Sequence, residues 1–155
     1  GMEGGICTPM IAQWPDGIKL PGKSIYREPC HLIDFVPTFI ELAGDKASYP
    51  KNLPKLDGVS LCPTFSGKKL KRSEPLFFQY GSWQVIRHNQ WKLVQQKTDP
   101  WKLYDLSKDR TETRNLSGLF KEHTAQMKNE WEKWAKNIGV KVSTKKRINP
   151  RRIQQ

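Results

Sequence analysis

Three cysteines, three histidines and a cluster of aromatic residues are the side chains here with the widest chemical reach, and their spacing restricts most of it. Cys7, Cys30 and Cys62 show no metal-ligand spacing, and an odd count completes no disulfide framework. Three thiols are expected, at least two of them buried as small apolar residues. His31 precedes a capped helix, His88 falls in a turn, and His123 shares the apolar stripe of a helix. With one imidazole per element and no spaced carboxylate pair, no metal site is expected. Trp91, Trp101, Trp131 and Trp134 would suit a sugar-stacking platform, but their periodicity assigns them to a core first. Gln79-Tyr80-Gly81-Ser82-Trp83 reads outward. Its uncharged aromatics would stack on a sugar or aryl ring, or be a hairpin turn with surface aromatics.

The elements that position these groups follow from pattern. Trp91-Lys92-Leu93-Val94 and Trp101-Lys102-Leu103-Tyr104 alternate apolar and polar residues. They predict adjacent antiparallel strands with the tryptophans and leucines inward and Lys92 and Lys102 outward. Pro75–Tyr80 and Trp83–Arg87 predict two more strands, completing a four-stranded meander from about 75 to 106. Phe120, Met127, Trp131, Trp134 and Ile138 recur in steps of 3 or 4, which predicts an amphipathic helix over 117–138. Upstream, residues 8–15 read as a short buried strand closed by Pro15-Asp16-Gly17. Asp34 is the expected cap of a helix over 34–43, with Pro37 tolerable in its first turn and Gly44 at its end. Residues 45–54 read as loop, and a short helical or turn segment ends near Gly67.

The formal net charge is +12 with a pI near 9.8, which makes polyanions the natural partners: nucleic acid, anionic lipid or sulfated carbohydrate. Lys141 to Arg152 holds six basic residues and no acidic one, half of the excess. That run reads as a solvated, disordered tail. No apolar run approaches the roughly 18 residues of a membrane span, and no targeting signal is visible. A nucleic-acid binder has the charge but no interleaved aromatic–basic motif, so that partner is not expected.

Five segments in order carry a family likeness: Glu3-Gly4-Gly5-Ile6-Cys7-Thr8-Pro9 with Trp14-Pro15; His31-Leu32-Ile33-Asp34 with Pro37-Thr38 and Leu42-Ala43-Gly44; Leu56-Asp57-Gly58-Val59-Ser60-Leu61; Leu76-Phe77; and Trp91-Lys92-Leu93-Val94 leading to Trp101–Leu116. Together they resemble the C-terminal portion of the type I sulfatases, closest to the bacterial arylsulfatase-like branch. The resemblance implies an α+β fold: a four-stranded antiparallel sheet with a C-terminal amphipathic helix, preceded by the last strand and helix of an alkaline-phosphatase-like α/β domain. It divides the chain into a remnant of that domain (1–72), the sheet-and-helix subdomain (73–140) and the basic tail (141–155).

The same resemblance places the catalytic groups elsewhere. The formylglycine nucleophile, the calcium ligands and the sulfate-binding lysine are expected in an N-terminal portion, and no cofactor in this segment. Cys7-Thr8-Pro9 imitates the start of the formylglycine motif but has Ile11 where an arginine belongs, and Cys62-Pro63 has its proline one place early. No residue of this segment is therefore assigned a catalytic role. Gln79, Tyr80 and Trp83 are the substrate-rim candidates, because in sulfatases that connection faces the active-site mouth. Relatives often carry charged residues there, and this chain does not.

The implied function is scaffold and pocket wall of a hydrolase of aryl or carbohydrate sulfates, incomplete by itself and working with an N-terminal sulfatase portion. A non-catalytic binding module for an anionic glycan is the competing reading. A periplasmic or secreted location follows from the resemblance. The strand at 10–13, deprived of neighbours, predicts a homodimer through residues 8–14 or remodelling onto the chain's own sheet.

Overall fold

The computed structural model describes residues 1–44, 49–50 and 52–140. Two compact units emerge: one joins Gly1–Pro9 to the chain from Glu74 onward, and the other is Met10–Ser73. The basic run from Lys141, and residues 45–48 and 51 of the expected loop at 45–54, lie outside the described residues.

The first unit is built on a meander of four antiparallel strands in sequence order: β1 (Leu76–Tyr80), β2 (Trp83–His88), β3 (Trp91–Gln96) and β4 (Lys102–Asp105). Tight turns set the register. Gly81 takes φ +54 between the paired residues Tyr80 and Trp83, and Asn89 takes φ +52 between His88 and Trp91. Positive φ at the first central residue matches the strand twist, and glycine and asparagine tolerate it best.

Phe77, Ile86, Leu93 and Leu103 stand side by side across all four strands. Helix α3 (Lys121–Asn137) lays Met127, Trp131 and Ala135 on this row, with Trp91, Trp101 and Trp134 packed at its margins. Trp134 stacks on Phe77 at 4.9 Å between ring centroids and 6° between planes. The expected register and shared core are both present. The helix begins four residues later than its periodicity suggested, because Leu116–Phe120 instead turns against β4. There Leu116 N–H donates to Leu103 C=O at 2.8 Å and Asn115 Oδ1 accepts from Leu103 N–H. That pairing also covers the sheet's outer edge.

Lys92 departs from expectation. It lies on the face opposite the helix, as alternation requires, yet it is fully buried, while Lys102 is exposed. The cause is a second cover. A one-turn helix, α1 (Glu3–Ile6), places Met2 and Ile6 against Val85, Val94, Tyr104 and Leu106 on that face. Residues 1–9, expected with the α/β remnant, therefore pack with the sheet.

The second unit centres on helix α2 (Phe35–Leu42), entered through a 3-10 turn at Leu32–Asp34. Asp34 occupies the N-cap position of α2 as expected, but its carboxylate caps the preceding turn instead of α2. His31 is the N-cap of that 3-10 turn, its ring nitrogen accepting from Ile33 N–H, and the Asp34 carboxylate reaches back to His31 N–H at 2.7 Å in a reciprocal capping box. The same buried carboxylate accepts Val59 N–H at 3.0 Å and pairs with Arg72. Gly44 closes the helix at φ +76, as expected. Gly58 passes so close to the helix entry that a Cβ there would stand 2.0 Å from Ile33 O.

The buried strand expected at 8–15 is absent. Residues 7–14 take no regular structure, with Met10, Ile11 and Trp14 exposed by 47, 95 and 43%. Among the described residues this unit holds no strand to pair with it, and a strand without a partner leaves its backbone to water. The homodimer expected through residues 8–14 loses its premise with the strand. The cysteines were misplaced too: Cys7 and Cys30 are exposed and Cys62 half-buried, all three as free thiols.

Candidate functional site

Gln79, Tyr80 and Trp83 are brought together by the β1–β2 hairpin, but they are not equivalent. Tyr80 is 84% exposed, so its ring and hydroxyl are both available. Trp83, paired with it across the turn, is half-buried: its ring lies where a Cβ on Gly1 would meet it at 2.6 Å, and it packs on the Val85–Tyr104 cluster. Gln79 folds back, donating Nε2–H to Gly81 C=O at 2.8 Å, which holds the turn. Its Oε1 is buried and has no partner among the described residues. The hairpin thus offers one free aromatic ring and one wedged ring edge, while Gln79 is turned inward to hold the turn. Such a surface stacks on a ring; it holds no nucleophile and no base.

The chemistry-bearing residues weighed in the sequence are otherwise structural. Trp91, Trp101, Trp131 and Trp134 belong to or border the core. His123 packs edge-on against Trp91 at 5.1 Å, with a buried Nε2 that lacks a hydrogen bond. His31 serves the helix entry, where burial holds its pKa below the usual imidazole value against the opposing pull of Asp34. His88 is half-buried at the end of β2 and not in open solvent. Among the described residues no group of three His, Cys, Asp or Glu is placed to hold a metal ion. Cys7 caps α1 and meets only the Arg110 guanidinium at 3.8 Å.

One constellation escaped the sequence reading. The Lys92 ammonium stands 3.1 Å from Glu3 Oε1 and 2.7 Å from Glu112 Oε1, and Arg87 approaches the other Glu3 oxygen at 3.5 Å. Glu112 also accepts Glu3 N–H at 2.6 Å, from a residue held at φ +57. A non-glycine residue in the left-handed region persists where its surroundings over-determine it, and here the Lys92 ammonium and the Glu3 N–H hold its carboxylate. The available signal was a lysine at an alternating position flanked by strand residues, with acidic residues far away in sequence. Pattern gives parity and cannot give the partner. The cluster is a clamp between α1, β3 and the exit loop, with Glu3, Lys92 and Glu112 all buried.

The comparisons with known proteins are consistent along the chain. The family model described as N-sulphoglucosamine sulphohydrolase, C-terminal, matches residues 2–137. A protein of Formosa agariphila named sulfatase is 32% identical over 130 residues, covering 74% of this chain and 23% of its own length. An ulvan-active sulfatase of the same organism is 39% identical over 67 residues, covering 43% of this chain and 12% of its own length. The crystal structure of Ps i-CgsB superimposes with a TM-score of 0.66 at 29% identity, covering 79% of this chain and 27% of that one. The matched regions span between about an eighth and a quarter of these relatives' own lengths.

Proposed function

Because the chain belongs to the sulfatases, spanning their C-terminal region, we propose that it is the scaffold and substrate-pocket wall of a carbohydrate sulfatase, active only together with an N-terminal sulfatase portion. The observation that supports this best is the outer face of α2 and its approach. Leu32, Val36 and Phe39 are exposed by 74, 49 and 64%, and Ile11 by 95%. Single exposed apolar residues are ordinary, but Val36 and Phe39 on one face of α2, with Leu32 in the turn leading into it, make an apolar patch that calls for a covering layer. In a sulfatase that layer is the large α/β domain, which also brings the formylglycine nucleophile and the calcium site. The division into 1–72 and 73–140, with residues 1–9 strapped to the latter, and a basic tail from 141, is part of the same reading. So is a periplasmic or secreted location; among the described residues no helix is long and apolar enough to cross a membrane.

Carbohydrate rather than aryl sulfate is supported by the relatives. One is named ulvan-active, and Ps i-CgsB has been crystallised with k-i-k-neocarrahexaose. The Tyr80 ring and the Trp83 edge, on the turn that Gln79 holds, would then contact a sugar unit flanking the cleaved ester.

The test is a chimera: this chain exchanged for the C-terminal portion of the Formosa agariphila sulfatase. The expected result is turnover of a sulfated oligosaccharide by the chimera and none by this chain alone. Tyr80→Ala in the chimera should raise KM with little change in kcat, since lost ring stacking weakens ground and transition states alike. Turnover of a chromogenic aryl sulfate by the isolated chain, abolished by Cys7→Ala, would overturn the proposal.

A further inference from the structure

The loop between β4 and α3 encloses a second concavity on the sheet unit. A cleft of about 570 Å³ has Trp91, Leu116 and Phe120 on its apolar side and Lys108, Arg110 and Arg114 on its polar side. Trp91 and Phe120 meet with ring centroids 5.1 Å apart, which gives the apolar side an aromatic floor. The loop's own carboxylates are engaged elsewhere. Asp109 accepts the N–H groups of Thr113 at 3.1 Å and Arg114 at 2.8 Å, and Asp105 accepts from the N–H and hydroxyl of Ser107. All three cations are exposed. Among the described residues Lys108 and Arg114 make no ion pair, and the Arg110 guanidinium only approaches the Cys7 sulfur.

We infer that this cleft binds a sulfated segment of a carbohydrate chain, apart from the Gln79–Tyr80–Trp83 rim. Two guanidinium groups and an ammonium suit the tetrahedral oxygens of a sulfate ester, where arginine donates two parallel hydrogen bonds. The indole and phenyl faces suit the apolar face of a sugar ring. The volume fits one or two sugar units, and a compact cleft differs from the long basic groove with serial aromatics that single-stranded nucleic acid needs. The choice of sulfate over other anions rests on the sulfatase reading; the cationic, aromatic-floored cleft does not.

The experiment follows amide resonances of the full chain during titration with a heparin-derived tetrasaccharide, with its fully desulfated counterpart, and with a short single-stranded DNA, all at physiological ionic strength. The expected result is saturable shifts at residues 108–114 with the sulfated sugar alone. Arg110→Ala with Arg114→Ala should weaken binding about tenfold, as loss of charge-assisted contacts implies. The charge-matched Lys133→Ala with Lys136→Ala, at the opposite end of α3 from Phe120, should weaken it less than about twofold, the size of a screened, distant effect. Should the double variant lose its native spectrum, Arg114→Gln alone repeats the test at an exposed side chain without an ion pair. Equal loss in both charge-matched variants, equal binding of the DNA or of the desulfated sugar, or shifts confined to Tyr80 and Trp83 would each overturn the assignment. None of these readouts requires turnover, so failure here is distinct from failure of the chimera.

Discussion

Lys92 carries the largest risk of any single residue. Its ammonium is wholly buried between Glu3 and Glu112, so removing it strands two carboxylates away from water. Breaking a buried pair by deleting one partner costs about 3–5 kcal/mol, whereas replacing all the charges together is often near neutral. Lys92→Met should therefore lower the urea midpoint sharply, and adding Glu3→Gln and Glu112→Gln should restore much of the loss. Asp109 gives a pH-dependent case. The amides of Arg114 and Thr113 hold its carboxyl below the ordinary value of 3.8. A carboxyl whose pKa is depressed by folding contributes stability above its unfolded pKa and loses it as pH falls through the folded one. The stability of the chain should thus decline below about pH 4, and Asp109→Asn, which does not titrate, should make that acid limb shallower in a urea-melt series.

At the scale of elements, Gly58 ties the second unit together. Val59 N–H binds Asp34 and Leu61 N–H binds Thr38 Oγ1 at 2.8 Å, so the segment lies flush on the entry to α2. Gly58→Ala would drive a methyl into the Ile33 carbonyl, which is backbone and cannot step aside. A loss of about 1–3 kcal/mol is expected, the usual range for overpacking, visible as a lower melting temperature. The sheet and α3 were legible in the sequence because alternation and the 3–4 step each report which side chains share a face. Trp91, Leu93, Trp101 and Leu103 were placed correctly for that reason. Coverage of the second face was not legible. It depends on α1 docking from 89 positions away, and no local pattern encodes that partnership. The strand assigned to 8–15 failed from the other side, because apolar content alone does not provide hydrogen-bonding neighbours. The rim was legible only as composition. That Tyr80 is free while Trp83 is wedged depends on what packs behind the hairpin.

For the whole molecule, the uncovered apolar patch at α2 and its entry turn separates stability from solubility. Leu32 and Phe39 contribute little to either unit's core, so Leu32→Gln with Phe39→Gln should leave the melting temperature nearly unchanged, within about 0.5 kcal/mol of stability. The same pair should raise the concentration at which light scattering first detects association. In the chimera they should do the reverse and reduce folding yield, since there the face is expected to be covered. A drop in melting temperature in the isolated chain would show that the patch is already packed.

The clamp at Glu3 also sets an order of events during synthesis. The α1 segment is made before the surface it docks on, which needs β3 and Glu112. Neighbouring strands close short loops and can pair as they emerge, while α1 must wait for an 89-residue separation to be bridged. In the interval Met2 and Ile6 have no partner, and Met10–Ser73 emerges between the two halves of one unit. Docking of α1 therefore waits until Glu112 has emerged, and a ribosome stalled before Glu112 would leave Met2 and Ile6 undocked.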